Sequence, residues 1–76
     1  MYVNQKEHSE FLIALGKRVE EIRKHQGLTK IQLAFEMNTG EKYIRRLEKG
    51  EVNITIKNLL KLSNALHIPL PELLSV

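Results

Sequence analysis

The apolar residues of this 76-residue chain recur at the spacing of an α-helix, and no segment alternates in the way of a β-strand. Leu12, Leu15, Val19 and Ile22 follow one another at intervals of three, four and three residues. Side chains at these intervals share one face of a helix, whereas a strand buries every second residue. The sequence therefore predicts an all-α fold.

Glycine, proline and capping residues divide the chain into five predicted helices. The first ends near Gln26, and either Asn4 or Ser9 could cap its start. Gly16, inside this helix, disfavours helix formation, which indicates close approach of another backbone. The other helices are predicted over about 30–37, about 41–49, from the cap Thr55 to His67, and after Pro69. The fourth carries residues at helical spacing: Ile56, Leu59, Leu60, Ser63 and Leu66.

Length and composition exclude several classes of protein. The chain has room for one small domain, residues 1–76, and not for a deep catalytic cavity. It lacks cysteine, and its three histidines are scattered, so no metal or cofactor is expected. An enzyme is not expected either, because no nucleophile or acid/base constellation is present. Apolar runs fall short of the ~20 residues of a membrane span, so a cytoplasmic protein with no membrane contact is expected.

Two short predicted helices flank a tight turn at Asn38-Thr39-Gly40. This layout, at about 29–49, is that of a helix-turn-helix, whose second helix enters the major groove of DNA. At about 100° per residue, Tyr43, Ile44 and Leu47 share one arc of the second helix. The opposite arc carries charged residues: Lys42, Arg45 and Lys49, with Glu41 and Arg46 at its edges. Together with a formal net charge of +3, this arc favours a polyanionic partner.

Short motifs throughout the chain occur in an ordered set: Leu15-Gly16-Lys17-Arg18-Val19, Ile22-Arg23, Gly27-Leu28-Thr29, Leu33-Ala34, Ile44-Arg45-Arg46-Leu47-Glu48-Lys49-Gly50, Leu59, Leu66-His67-Ile68 and Glu72-Leu73-Leu74. In these motifs the chain resembles the Cro/C1-type, or XRE-type, helix-turn-helix regulators over roughly residues 12–75. The resemblance implies a compact five-helix, lambda-repressor-like DNA-binding domain. In length the chain is similar to restriction-modification controllers and phage Cro-like proteins.

The resemblance also implies roles for single residues. Residues expected to contact base edges are Glu41, Lys42, Arg45 and Arg46. Residues expected to contact the phosphate backbone are Thr29, Lys30, Gly40, Tyr43 and Lys49. Helix N-termini offer free N–H groups to phosphate, which agrees with the position of Lys30. Arg23 and Glu48 are expected to form a structural ion pair between the first and third helices.

Ile31 and Phe35 form an apolar i, i+4 pair that faces away from the predicted core. The family usually carries polar residues at these two positions. Two interpretations remain open for the pair. Either the N-terminal part of the chain, including Tyr2 or Phe11, covers it, or it is a contact surface for a protein partner.

Regulators of this family usually bind double-stranded DNA as symmetric pairs, so we expect a homodimer on two half-sites about 34 Å apart. The last nine residues hold more aliphatic side chains than a short terminal helix can bury, and Leu73 is expected to face inward. The expected dimer contact is Ile68, Leu70, Leu74 and Val76. Alternatively, these leucines fold back on the fourth helix and Val19.

The leading functional hypothesis is therefore a dimeric, sequence-specific transcriptional regulator on an approximately palindromic operator. The sequence does not distinguish a repressor from an activator. The alternative hypothesis is a protein-interaction module, such as the antitoxin of a toxin-antitoxin pair. In that case Ile31 and Phe35 would form the interacting surface.

Overall fold

The computed structural model describes residues 4–76, so Tyr2 lies outside the described residues. The described range folds into five helices: α1 (Gln5–His25), α2 (Lys30–Glu36), α3 (Glu41–Glu48), α4 (Ile56–Leu66) and α5 (Leu70–Leu73). No strand occurs within it, and the prediction of an all-α fold is confirmed. No helix of residues 4–76 combines the length and apolarity that a membrane crossing requires.

Capping side chains set the starts of the first two helices. Asn4 caps α1 by accepting a hydrogen bond from the backbone N–H of Glu7 at 2.8 Å, so the helix starts there and not at Ser9. Thr29 and Gln32 form a reciprocal capping box at the start of α2, with bonds of 3.0 and 2.7 Å. These bonds satisfy N–H groups that lack partners within the helix.

The turn between α2 and α3 depends on one left-handed residue. Asn38 has φ of 55°, a conformation that asparagine tolerates better than most residues. The N–H of Thr39 then donates to the carbonyl of Ala34 at 2.8 Å, which closes the end of α2. Gly40 is the N-cap residue of α3. The predicted helix-turn-helix layout is thus present in the structure.

All five helices contribute to one apolar core. Its buried members are Leu15, Val19, Leu33, Ala34, Met37, Ile44, Leu47, Leu59, Leu62, Leu66 and Leu73. The core fixes α3 between α1 and α2 and leaves one face of α3 outside.

The buried face of α4 differs from the spacing noted in the sequence. Leu59, Leu62 and Leu66 are buried, whereas Ile56 and Leu60 are 69% and 50% exposed. At about 100° per residue the three buried leucines fall within an arc of about 60°, and Leu60 lies about 130° from its centre. A helix of this length against a small core buries only one such arc, so the remaining apolar residues stay outside.

Gly16 allows α1 and α3 to touch through their backbones. A Cβ atom added at Gly16 would lie 2.6 Å from the carbonyl oxygens of both Leu47 and Glu48. This is far shorter than the van der Waals contact of a carbon with a backbone oxygen, so a side chain does not fit there unless the backbone shifts. The close approach predicted from the sequence is therefore confirmed.

Candidate nucleic-acid interface

The outward face of α3 presents charged side chains to solvent. The helix buries Ile44, Leu47 and Glu48 and exposes its other charged positions. Exposed on this face or at its end are Glu41, Lys42, Arg45, Arg46 and Lys49. Four cations on one short helix give a surface that a polyanion can approach without displacing any core side chain.

The two arginines of this face lie beside carboxylates. Arg45 Nη2 is 2.9 Å from Glu41 Oε1 within α3, and Arg46 Nε is 3.8 Å from Glu51 Oε1 after the helix. All four side chains are about half exposed, and exposed pairs of this kind contribute only ~0.2–1 kcal/mol. Both arginines can therefore leave these carboxylates for a base or a phosphate at little cost.

Tyr43 ties the start of α3 to α4. Its side chain is half-buried, and its hydroxyl oxygen accepts a hydrogen bond from Asn58 Nδ2 at 3.0 Å. The hydroxyl proton is still available for donation to a phosphate oxygen. The sequence did not indicate a role for Asn58, because this contact joins residues that are distant along the chain.

The other residues expected to contact the phosphate backbone lie at the ends of helices. Thr29 is the N-cap of α2 and Lys30 its first residue, while Gly40 and Lys49 are the cap residues at the two ends of α3. The Thr29 hydroxyl oxygen accepts the N–H of Gln32, and its proton remains free to donate. The structure thus places these residues at the ends of the two helices of the helix-turn-helix unit.

A buried ion pair fixes α3 to α1. Arg23 Nε lies 2.6 Å from Glu48 Oε2, Arg23 Nη2 lies 3.1 Å from Glu48 Oε1, and Arg23 Nη1 donates to the carbonyl of Leu28 at 2.8 Å. The two side chains are 7% and 3% exposed. The hydrogen bond to the Glu48 carboxylate raises the pKa of Arg23 above its usual value, although burial alone would lower it. The pair orients the last turn of α3 against α1.

The apolar pair on α2 remains open in the structure. Ile31 is 64% and Phe35 81% exposed, and Phe11 of α1 is itself 39% exposed. Cover of the pair by Phe11 is therefore not found, and the interpretation based on Tyr2 falls outside the described residues. Among the described residues, both side chains are therefore mostly exposed.

The C-terminal residues pack back on the domain more than the sequence suggested. Ile68, Leu70 and Leu74 are half-buried against the core, and Leu73 is fully buried, as expected. Val76 alone among the expected dimer residues is more than half exposed, at 52%. The C-terminal segment therefore offers less free apolar surface than its composition implied.

Comparison with known proteins agrees with this geometry. A family model described as helix-turn-helix matches residues 19–73. The crystal structure of the restriction-modification controller protein C.AhdI from Aeromonas hydrophila is 36% identical, covers 87% of this chain and 96% of its own, and superposes with a TM-score of 0.83. The clp gene regulator ClgR from C. glutamicum is 25% identical over 84% of this chain and 83% of its own, with a TM-score of 0.79.

A third solved structure, a hypothetical transcription factor NHTF from Neisseria, shares the fold at 20% identity, with a TM-score of 0.81 over 97% of this chain and 85% of its own. Among curated protein sequences, no significant match was found. The family match covers most of the chain, and the resemblance seen in the sequence motifs is confirmed. This chain belongs to the Cro/C1-type family of helix-turn-helix, DNA-binding transcriptional regulators.

Proposed function

We propose that this protein is a dimeric, sequence-specific transcriptional regulator that binds an approximately palindromic operator with α3 in the major groove. The observation that carries the proposal is the outward face of α3, where Lys42, Arg45 and Arg46 are exposed on a helix whose other face is fixed in the core. The 36% identity to a restriction-modification controller supports a regulator of that kind.

The side chains of this face favour G·C base pairs. Arginine and lysine bind guanine N7 and O6 in the major groove, and an acidic side chain accepts from cytosine N4. Glu41 lies 2.9 Å from Arg45, so it either holds the guanidinium in position or accepts from a neighbouring cytosine. We expect each half-site to contain G·C pairs at the positions that Arg45 and Arg46 contact.

Phosphate contacts position the protein without reading the sequence. The capping box already occupies the N–H groups of Thr29 and Gln32. A phosphate at the start of α2 would therefore bind the N–H groups of residues 30 and 31 and the ammonium group of Lys30. Gly40, Tyr43 and Lys49 would contact phosphates beside α3.

One α3 covers only one half-site. Regulators of this family usually bind specific sites as symmetric pairs, so we expect two copies related by a two-fold axis on half-sites one helical turn, about 34 Å, apart. The second copy therefore completes the DNA-binding site.

The test compares Arg45→Ala with Lys24→Ala, each of which removes one positive charge. Arg45→Ala should weaken binding by about 1–3 kcal/mol at one base pair and relax discrimination there. Lys24→Ala removes a charge from a similar exposed i, i+4 pair, with Glu20 on α1, and should leave base preference unchanged. Selection of binding sites from random duplexes, followed by titration at several salt concentrations, measures both effects.

An unchanged base preference in Arg45→Ala and in Arg46→Ala would contradict the assignment of α3 as the reading helix. Binding that does not weaken with salt would contradict DNA binding through these cations altogether, because counterion release makes such binding salt-dependent.

The exposure of Ile31 and Phe35 favours a second candidate function, a protein-interaction module of a toxin-antitoxin pair. DNA binding and partner binding can coexist in one chain. Phe35→Glu should then abolish inhibition of a toxin encoded next to this gene and leave operator binding intact. A neighbouring methylase and nuclease pair would instead favour the controller function.

A further inference from the structure

Asn58 of α4 is hydrogen-bonded to Tyr43, a residue of the proposed DNA-binding surface on α3. Asn58 Nδ2 lies 3.0 Å from the Tyr43 hydroxyl oxygen, and both side chains are half-buried. We propose that Asn58 is a positioning residue that makes the Tyr43 hydroxyl a fixed donor toward one phosphate group of the DNA backbone. The inference rests on the proposed function, because it deepens the phosphate contact expected of Tyr43.

The direction of the Tyr43 proton follows from the chemistry of the Asn58 amide. A phenolic hydroxyl has one proton to donate and lone pairs that accept, whereas the NH₂ group of asparagine only donates. Asn58 therefore occupies a lone pair of the hydroxyl oxygen, and the O–H bond has to point away from the amide. A phosphate oxygen of the DNA backbone only accepts, so a hydroxyl in this orientation is complementary to it.

Both partners of this hydrogen bond are held in place by the fold. Thr55 is the N-cap residue of α4, and its hydroxyl oxygen accepts a hydrogen bond from the backbone N–H of Asn58 at 3.2 Å. The Tyr43 side chain packs against the apolar core. The hydroxyl is therefore oriented before DNA is bound, which lowers the entropy cost of forming the contact.

The hydrogen bond lies where two helices begin. Tyr43 is the third residue of α3, and Asn58 is the third residue of α4. Helix N-termini carry a partial positive charge and attract phosphate groups. Gly40 caps α3 without a side-chain hydrogen bond, so N–H groups at the start of α3 are available to the same anion. These surroundings favour a charged acceptor over water for the Tyr43 proton.

The position of Tyr43 on α3 favours a phosphate over a base edge. At about 100° per residue, Tyr43 lies about 160° around the helix from Arg45, which is on the outward face. The half-buried ring therefore lies to the side of the face expected to read bases. A hydroxyl at the side of a helix in the major groove faces the DNA backbone, which positions the protein without reading the sequence.

Two variants of Asn58 test the role of its amide. Asn58→Leu removes the donor at similar volume. Asn58→Asp reverses the bond, because a carboxylate only accepts and would take the Tyr43 proton for itself. An acidic residue in the first turn of a helix is favourable, so Asn58→Asp should fold even if Asn58→Leu does not. Asn53→Leu is the matched control, since it removes an amide that lies 3.2 Å from His8 in another contact between distant parts of the chain.

Each variant is made in the unmodified protein and in Tyr43→Phe, which lacks the hydroxyl. The probe is a duplex that the unmodified protein selects from random sequences, and circular dichroism verifies folding. Tyr43→Phe should weaken binding about tenfold, Asn58→Leu about threefold and Asn58→Asp more than about tenfold. In the Tyr43→Phe background, Asn58→Leu should have no further effect, and Asn58→Asp should keep only the smaller loss from repulsion of DNA. The effect of Asn53→Leu should be the same in both backgrounds.

A second measurement separates positioning of the hydroxyl from a purely structural role. Duplexes with one phosphate replaced by an uncharged methylphosphonate identify the phosphate that Tyr43 contacts, because the unmodified protein loses affinity there and Tyr43→Phe does not. Asn58→Leu and Asn58→Asp should lose sensitivity to this phosphate and keep their sensitivity to the others. Asn53→Leu should remain sensitive to it.

Full sensitivity to this phosphate in both Asn58 variants, or losses of affinity that are equal in the two backgrounds, would overturn the inference and leave the proposed function intact. Loss of this sensitivity in Asn53→Leu as well would also overturn it, because the effect would then not be specific to Asn58. If the unmodified protein binds no duplex, the proposed function is wrong and the inference falls with it.

Discussion

Replacement of Glu48 by glutamine would test whether the buried ion pair holds α3 in place. In the structure, the carboxylate accepts two bonds from Arg23, at 2.6 and 3.1 Å. Glu48→Gln keeps the volume and one acceptor, but it removes the negative charge and turns an NH₂ group toward the guanidinium. Arg23 would then be a buried cation whose remaining strong partner is the carbonyl of Leu28.

The expected loss of stability follows from the burial of the Arg23 and Glu48 side chains, which are 7% and 3% exposed. Removal of one partner of a buried pair costs about 3–5 kcal/mol, because the other charge stays behind. Retention of one acceptor favours the lower limit, about 3 kcal/mol. For a domain of this length, whose total stability is about 4–11 kcal/mol, the melting temperature should fall by about 12–24 °C.

Thermal and urea unfolding at neutral pH measure the effect. The raised pKa of Arg23 means that its contribution is lost only when the pH rises through that value, so Arg23 is fully charged under these conditions. Glu41→Gln is the matched control, since Glu41 pairs with Arg45 at 2.9 Å on the same helix but remains 43% exposed. The control should cost under about 0.5 kcal/mol. If the two variants unfold within about 1 kcal/mol of each other, the reasoning from burial is wrong.

Two further predictions concern the helix contact and the phosphate contact. Gly16→Ala should destabilise the domain by about 1–3 kcal/mol, because the added Cβ would lie 2.6 Å from two backbone oxygens of α3. This loss should exceed the gain from the better helix propensity of alanine. An unchanged or raised midpoint of urea unfolding would contradict the prediction. Lys30→Ala should weaken binding to all DNA sequences about equally, and it should reduce the slope of log affinity against log salt concentration by roughly one unit. A titration that shows a loss confined to one base position would instead make Lys30 a base-reading residue.

The parts of the fold that depend on local interactions could be predicted from the sequence. Thr29 caps α2, and Thr55 caps α4, as their positions before apolar helical segments indicate. The left-handed residue Asn38 ends α2 within one residue of the predicted end. Each of these features depends on residues within a few positions of one another, so the sequence contains the required information.

The burial of α4 could not be predicted with the same success. Its apolar residues occupy more than half of the helix circumference, and any of several arcs could face the core. The packing of Leu62 against the other helices decides between them, and it leaves Ile56 and Leu60 outside. Similarly, contacts such as Tyr43 with Asn58 and Arg46 with Glu51 depend on how a helix and a following segment meet, which periodicity does not describe.

Three contacts together determine where α3 lies in the domain. The approach of the α1 backbone at Gly16 and the ion pair at Glu48 both hold the C-terminal end of α3, while the hydrogen bond at Tyr43 joins its N-terminal end to α4. Both ends of α3 are therefore fixed before any DNA is bound, so the ordering of this helix adds little to the cost of binding.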